Sequence, residues 1–414
     1  MRRKNNSAPG GLLILAALIM CLIGISVYTT GCADEPSSLG LNLIPPGDTS
    51  GVRVLDSYID TMLITPTNHK KLTNTSSSGN LMVGKDGNYD AKALLLFSSL
   101  SNAYDTAVVN SATLKLKYRN YYFPTSSSDS LGQIAFDIYK INNSLNFGNI
   151  TLDSIDNTTF GTISQGNYTG SPTADTQEVN ISLNSSMVKD WLEYAADPNY
   201  SIKNYGIVLS PSIASNVIKA FYSASYGNDD LKPELEIIVT KLGHTDTLKF
   251  NATSSLSLVN TTINQTSELF FLQSGVAYVE VLKFDLSKIP STATINDVQL
   301  YLTLDPASSI LSSQSSKIIG AERVTDTAGL VTDNTAIYNN TTPPSNNKFM
   351  IRLLNNAYPS PFQRWLLGET NYGLYFRPTT IQQNLDLYAF YNTTASDPAK
   401  RPRIVIKYTP RALP

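Results

Sequence analysis

The clearest set of metal-ligand side chains in the sequence is a short stretch of carboxylates and amides. Asp86, Asn88 and Asp90 place oxygen atoms at alternating positions around Gly87, as loops that bind Ca²⁺ do. The stretch lacks the distal glutamate of an EF-hand, and the same residues are typical of a polar turn between two strands. Two interpretations therefore stay open, a structural Ca²⁺ site or a plain turn, and no other cofactor is predicted.

A second group of side chains suits the recognition of a sugar. Leu114 and Leu116 alternate with basic residues along a predicted strand, so that Lys117, Arg119 and Tyr121 fall on the opposite, polar face. A tyrosine ring can stack on the apolar face of a sugar ring, and the two cations would attract an acidic polysaccharide. We therefore predict that Lys117, Arg119 and Tyr121 form the ligand face.

Residues for catalysis are scarce. The two histidines, His69 and His244, lie in segments rich in Thr and Asn, and neither has a companion at metal-ligand spacing. The sequence contains neither a Gly-x-Ser-x-Gly motif nor a phosphate-binding glycine loop. A pair of carboxylates from distant parts of the fold remains an alternative, but we predict that the protein is not an enzyme.

Cys32 is the candidate for covalent modification. Basic residues precede an apolar run at 12–27, and Gly31 comes directly before Cys32. A charged head, a short apolar core and a small residue are typical of a secretory signal, and the run is short for a bilayer span. Glycine before cysteine resembles the lipobox of bacterial lipoproteins, although Thr29 replaces the usual aliphatic residue. The resemblance implies removal of residues 1–31 and acylation of Cys32; an uncleaved anchor is the alternative.

The residues after Cys32 indicate where the protein goes. Asp34 and Glu35 resemble the export tag that sends lipoproteins of Bacteroidota to the outer face of the outer membrane, although they also suit a plain acidic linker. Pro, Gly, Ser and Asn dominate the next residues, so that 32–50 is predicted to be a flexible tether. We expect a lipid-anchored protein of the cell outer membrane that faces the exterior.

Composition excludes several functions. Charged residues make up 15% of the chain and the net charge is −2, so no basic field is present to attract nucleic acid. Of the two cysteines, Cys21 lies within the predicted signal and Cys32 is predicted to carry lipid. The mature chain therefore has no thiol for a disulfide, for catalysis or for a metal site.

The two tryptophans of the chain each lie in a copy of the same local sequence pattern, which occurs twice. Each copy has a Trp-Leu pair, an Asn-Tyr-Gly triplet, a Phe-Tyr pair and a proline before an alternating strand. The residues are Trp191, Asn204, Tyr205, Gly206, Phe221, Tyr222 and Pro233 in the first copy and Trp365, Asn371, Tyr372, Gly373, Phe390, Tyr391 and Pro402 in the second. Such self-similarity predicts two homologous units, which we place at 51–241 and 248–409.

Local patterns predict what each unit contains. A period of two dominates and indicates half-buried strands. Each unit also has one short helix: Ser185 or Ser186 is the predicted N-cap of the first, and Ser360, followed by Pro361, begins the second. The helical phase places both tryptophans in cores. The fold class is therefore all-β, with two tandem antiparallel sandwiches of jelly-roll type.

The order of these motifs resembles the DNRLRE-type β-sandwich, some members of which bind polysaccharide. The whole chain, including residues 39–45 (Leu-Gly-Leu-Asn-Leu-Ile-Pro) and 272–275 (Leu-Gln-Ser-Gly), resembles the Bacteroidota lipoproteins grouped as domain-of-unknown-function family 4270. These resemblances imply a fold and a location but no activity.

Two functions follow as expectations. The first is a non-catalytic surface module that binds a polysaccharide or a protein partner of the envelope. The alternative is a structural or accessory subunit of an outer-membrane assembly, secretion or uptake machine. An exposed aromatic platform beside polar groups would favour the first, and an exposed apolar patch would favour the second.

Overall fold

The computed structural model describes residues 51–60, 62–125, 131–276, 278–340, 345–354 and 360–410. Residues 52–410 form one compact unit. The predicted signal peptide, Cys32 and the tether lie outside the described residues. Within the described part of the chain, no helix is long and apolar enough to cross a membrane.

The chain is all-β, as predicted, and its strands pair antiparallel. The first thirteen strands are β1 (Arg53–Asp56), β2 (Ile64–Lys70), β3 (Asn80–Asp86), β4 (Tyr89–Leu96), β5 (Val108–Phe123), β6 (Ile134–Lys140), β7 (Gly166–Gly170), β8 (Glu178–Leu183), β9 (Ile207–Pro211), β10 (Ile218–Tyr222), β11 (Glu234–Lys241), β12 (His244–Asn251) and β13 (Ser254–Asn260). The other nine are β14 (Leu269–Gln273), β15 (Tyr278–Phe284), β16 (Thr294–Thr303), β17 (Ile319–Asp326), β18 (Val331–Asn339), β19 (Lys348–Arg352), β20 (Leu374–Pro378), β21 (Leu387–Tyr391) and β22 (Arg403–Thr409).

The helices are few and short. Among the described residues, the α-helices are α1 (Ser185–Ala196) and α2 (Pro361–Leu366). Single 3₁₀ turns lie at Asn102–Tyr104, Leu152–Ser154, Asp229–Leu231 and Pro398–Lys400.

The first sandwich is one continuous sheet folded on itself at β5. The strand order is β12-β11-β5-β10-β3-β4-β9-β6-β7, with β8 added to β5 and β13 added to β4. The early part of β5 pairs with β11 and β8, whereas its end pairs with β10. Arg119 and Asn120 are extra residues at this transition, because Tyr118 lies opposite Phe221 while Tyr121 lies opposite Ala220. The resulting bulge lets one long strand belong to both layers.

The second sandwich has the same arrangement in separate sheets. One layer is β1-β22-β16-β19, and the other combines β18-β17-β20-β15-β2 with the pair β14-β21. Its core is a single apolar cluster that includes Leu300, Phe376, Phe390 and Ile406, together with Leu55 from β1. The core of the first sandwich is a separate cluster.

The two sandwiches are equivalent strand by strand. Leu248 of β12 lies opposite Ile237 of β11, and Leu55 of β1 lies opposite Ile406 of β22 in the same register of the repeat. Likewise, β13 pairs with β4 as β2 pairs with β15. The first sandwich is therefore completed by strands that follow β11, whereas the second is completed by strands from the start of the described chain.

This closure corrects the predicted domain boundaries of 51–241 and 248–409. Residues 53–70 pair within the second sandwich and residues 244–260 pair within the first. The sequence repeat revealed the tryptophan helix and the central strands. It could not assign the completing strands, because they carry none of the repeated motifs.

Both helices are capped by side chains, as predicted, although one cap residue differs. Asn184, rather than Ser185 or Ser186, accepts a hydrogen bond from the Ser186 amide at 2.9 Å and begins α1. Ser360 accepts one from the amide of Gln363 at 3.2 Å and begins α2. Trp191 and Trp365 are buried, which confirms their core assignment.

The sandwiches pack against each other through the outer face of β3, β4, β10 and the end of β5. Tyr121, Phe123 and Ala220 form an apolar cluster there with Val276 and Leu385 of the second sandwich. The face of the first sandwich that sequence reasoning left to solvent is thus covered in its central part.

We predict that Leu55→Ala destabilises the second sandwich selectively, by about 2–4 kcal/mol, because it leaves a cavity in that core. Hydrogen exchange measured by mass spectrometry should show lost protection in 269–409 and unchanged protection in 80–243. The matched control is Leu248→Ala, the equivalent residue, which should lower protection in the first sandwich. Loss of protection from Leu55→Ala confined to 80–260 would contradict the closure.

We also predict a pH effect at the seam between β2 and β15. Glu280 is almost fully buried and accepts a hydrogen bond from Asn68 at 3.2 Å, and burial raises the pKa of its carboxyl to about 8. Because this pKa exceeds that of the unfolded chain, the stabilising protonated form is complete below about pH 4.5 and is lost as the pH rises towards 8.

Glu280→Gln should therefore leave melting at pH 5 nearly unchanged and raise the melting temperature at pH 8 relative to the parent chain. Glu178→Gln, at an exposed site, is the control and should shift neither value. A parent chain whose stability does not depend on this glutamate between pH 5 and 8 would contradict the assignment.

Candidate functional site

The predicted cation stretch forms the turn of a hairpin. Asp86 ends β3 opposite Tyr89 of β4, and Gly87 turns the chain with a φ of +50°. Asp90 makes an ion pair with Lys92 at 3.0 Å. No group of three or more His, Cys, Asp or Glu that could hold a metal ion occurs among the residues that the structure describes.

The predicted ligand face of Lys117, Arg119 and Tyr121 is wrong in one member. Tyr121 is fully buried, and its hydroxyl accepts a hydrogen bond from the Leu385 amide at 3.0 Å. The alternation along β5 was assigned correctly, since Tyr121 does point away from Tyr118. The face to which it points is covered by the second sandwich, which no local pattern reveals.

The other two residues make contacts within the chain. Lys117 donates to the backbone carbonyl of Asp230, and the Arg119 guanidinium lies 5.0 Å from the centre of the Tyr226 ring. Lys115 of the same strand binds Glu236 at 2.7 Å, and this hydrogen bond lowers the pKa of Glu236. Lys117 also shares a cleft with Glu178, Asp229, Asp230 and Glu234, so the surface carries mixed charge rather than the basic field that an acidic polysaccharide would need.

A different cleft of the first sandwich has the chemistry of a ligand site. It has a volume of about 300 Å³ and lies between the side of α1 and the loop 141–165; we call it the helix cleft. Aromatic rings and small polar groups line it, among them Ser98, Ser144, Phe147, Tyr194 and Tyr205. Tyr194 and Tyr205 are half-buried, and the two serines are exposed.

The wall of this cleft is specific to the first sandwich. Residues 141–165 connect β6 to β7, whereas the equivalent strands β17 and β18 are joined by residues 327–330 alone. Phe147 and Ile150 of the long loop are buried against the outer face of β4, β9 and β13. Asn74 donates to the carbonyls of Phe147 at 2.9 Å and Ile150 at 2.7 Å, so the loop is fixed at this side.

The asparagine and glycine of the repeated Asn-Tyr-Gly triplet hold the backbone around the tyrosine that lines the cleft. Asn204 donates to the Phe97 carbonyl at 2.8 Å and accepts from the Gly206 amide at 3.1 Å. Asn371 makes the equivalent pair of hydrogen bonds in the second sandwich, at 2.9 and 3.0 Å. The asparagine therefore fixes the backbone on both sides of Tyr205.

A larger cavity lies at the beginning of the described chain. It has a volume of about 640 Å³ and is lined by residues of the β1–β2 connection and of the segment before β22, including Tyr58, Met62, Leu63, Pro398 and Arg401. The Tyr58 hydroxyl donates to the Arg401 carbonyl at 2.9 Å. Neither this cavity nor the helix cleft was predicted from the sequence, because their residues come from distant segments.

Comparison with known proteins does not assign the chain to a family. No protein-family model matches the chain, and no curated protein sequence matches it. The resemblance to family 4270 and to the DNRLRE-type sandwich therefore stays a prediction.

We predict that Gly206→Ala disrupts the region around the cleft. Gly206 has a φ of +96°, and an added Cβ would lie 2.3 Å from the Leu95 carbonyl oxygen. Strain and overlap together should cost about 3 kcal/mol, measured by urea unfolding. Gly243→Ala is the control for strain alone, since Gly243 has a φ of +81° and open space around it, and should cost about 1 kcal/mol. An equal loss of unfolding free energy in both variants would contradict the predicted overlap with the Leu95 carbonyl oxygen.

Proposed function

We propose that the protein is a surface-exposed lipoprotein of the outer membrane that acts as a non-catalytic binding module for a polysaccharide. Lipid on Cys32 anchors it, and the helix cleft is the binding site. The observation that supports this proposal best is an aromatic cleft with small polar groups, built by a loop that only the first of two equivalent sandwiches has.

The cleft suits a sugar chemically. Apolar ring faces of a sugar stack on tyrosine and phenylalanine, while its hydroxyls need small hydrogen-bonding groups. Tyr194 and Tyr205 offer the rings, and Ser98 and Ser144 offer hydroxyls. A volume of about 300 Å³ is at the lower end for ligand sites, so the cleft fits a short part of a polysaccharide rather than a long segment.

The lining also supports binding rather than hydrolysis. Glycoside hydrolysis needs two carboxyl groups on either side of the scissile bond. The described residues that line the helix cleft include no aspartate, glutamate or histidine. The side chains present can hold a sugar but offer no acid or base to cleave it.

A second function is favoured by a different observation. Several large apolar side chains between Val52 and Leu63 are exposed, as a docking subunit of a membrane assembly would need. This surface is separate from the helix cleft, so a binding role and a docking role are compatible.

The test is a glycan array probed with the mature chain and two tyrosine variants. Tyr205→Ala should weaken binding at least tenfold, because it removes one ring of the cleft. Tyr372→Ala is the matched control, since Tyr372 occupies the same place in the second sandwich and should leave binding intact. Binding that survives Tyr205→Ala, or equal loss from both variants, would reject the cleft as the site.

A further inference from the structure

Exposed apolar side chains cluster at one place in the described chain. Val52, Val54, Tyr58, Ile59 and Leu63 are each between 44 and 78% exposed, and they fall within twelve successive positions. We call them the N-terminal patch. The other large apolar residues that are exposed lie one by one on separate loops and strands, which is ordinary for a protein surface.

The patch is held in an exposed position by its backbone. The amides of Ile59 and Asp60 donate to the Asp56 carbonyl at 2.9 and 2.8 Å, and the Asp56 amide donates to the Asp60 carboxylate at 2.7 Å. These bonds form a tight turn that directs Ile59 outwards. The side chain therefore cannot turn inwards to escape water without breaking the turn.

Chain length points to the occupant. Val52 is 20 residues beyond Cys32, and the flexible tether predicted from the sequence would have an end-to-end distance of about 25 Å. Once Cys32 is acylated, no other exposed apolar group of the described chain is as close along the sequence to the bilayer. The local concentration of lipid surface at the patch is consequently high.

The residues around the patch match a headgroup region. The ammonium of Lys288 donates to the backbone carbonyl of Asp60, and Arg401 lines the cavity that contains Tyr58. Arg53 is exposed and lies between Val52 and Val54 along the chain, with its side chain on the opposite face of the strand. Basic side chains beside aliphatic ones and a tyrosine are the composition of surfaces that enter the interface of an anionic bilayer.

We propose that the N-terminal patch docks on the lipid surface of the membrane to which the chain is anchored, with Ile59 and Leu63 entering the boundary between headgroups and acyl chains. This inference rests on the proposed lipid anchor at Cys32, and it adds a second contact that holds the second sandwich at the bilayer.

The experiment measures the patch without the anchor. The mature chain with Cys32→Ser is mixed with vesicles of phosphatidylethanolamine and phosphatidylglycerol and sedimented. We expect this chain to bind, and Ile59→Asp with Leu63→Asp to lower the bound fraction at a fixed lipid concentration at least tenfold. The matched control is Ile163→Asp with Ile213→Asp, at two positions of the first sandwich that are 74 and 94% exposed, and it should bind as the parent does.

The outcomes separate the patch from the anchor. Equal binding by the two double variants would overturn the proposal, and so would a parent Cys32→Ser chain that does not sediment with vesicles, which would leave the patch to a protein partner. Hydrogen exchange within 52–63 should also slow in the presence of vesicles, while strand protection in each variant shows that it is folded. Mass spectrometry of the native chain reports acylation of Cys32 independently, so failure of the anchor is recognised on its own.

Discussion

The pairing of β1 with β22 and of β2 with β15 is the constraint on which the second sandwich depends. These two strands supply Leu55 and Ile64 to its core, and β2 covers the edge of β15 along its full length. Without them, β15 and β22 would each present an unpaired edge, which proteins avoid. The start and the end of the described chain are therefore joined in one sheet, and the two sandwiches are closed by strands of different origin.

This closure also means that the predicted tether leads into a strand of the second sandwich. The predicted tether continues directly into β1, so any pull from a membrane anchor is applied to a strand of four residues that completes a core. A second contact between the neighbouring patch and the bilayer would share that load. Asp56 of β1 also makes an ion pair with Arg403 of β22 at 2.5 Å. This pair lowers the pKa of Asp56 and adds a polar contact between the two strands. Structural closure and the proposed membrane attachment would then fall on one segment.

The sequence predicted those parts of the fold that depend on local chemistry. The alternation along β5, the cap at Ser360 and the burial of Trp191 and Trp365 follow from neighbours within a few residues, and each was confirmed. The exposure of Tyr121 and the domain boundaries were wrong because both depend on which distant surface covers a strand. The helix cleft was missed for a similar reason, since residues 141–165 carry no motif and acquire their role by packing on β4, β9 and β13.

Duplication separates the residues that maintain the fold from those that could give it a function. Asn204 and Asn371 make the same hydrogen bonds, and the glycines two residues later have the same φ of +96°. These positions therefore maintain a backbone geometry that both sandwiches need. Residues that differ between the two sandwiches are not needed for this shared fold. The long loop beside α1 in the first sandwich and the exposed aliphatic turn that closes the second are two such differences. A ligand site on one sandwich and a membrane contact on the other would then be additions to a scaffold that needed neither.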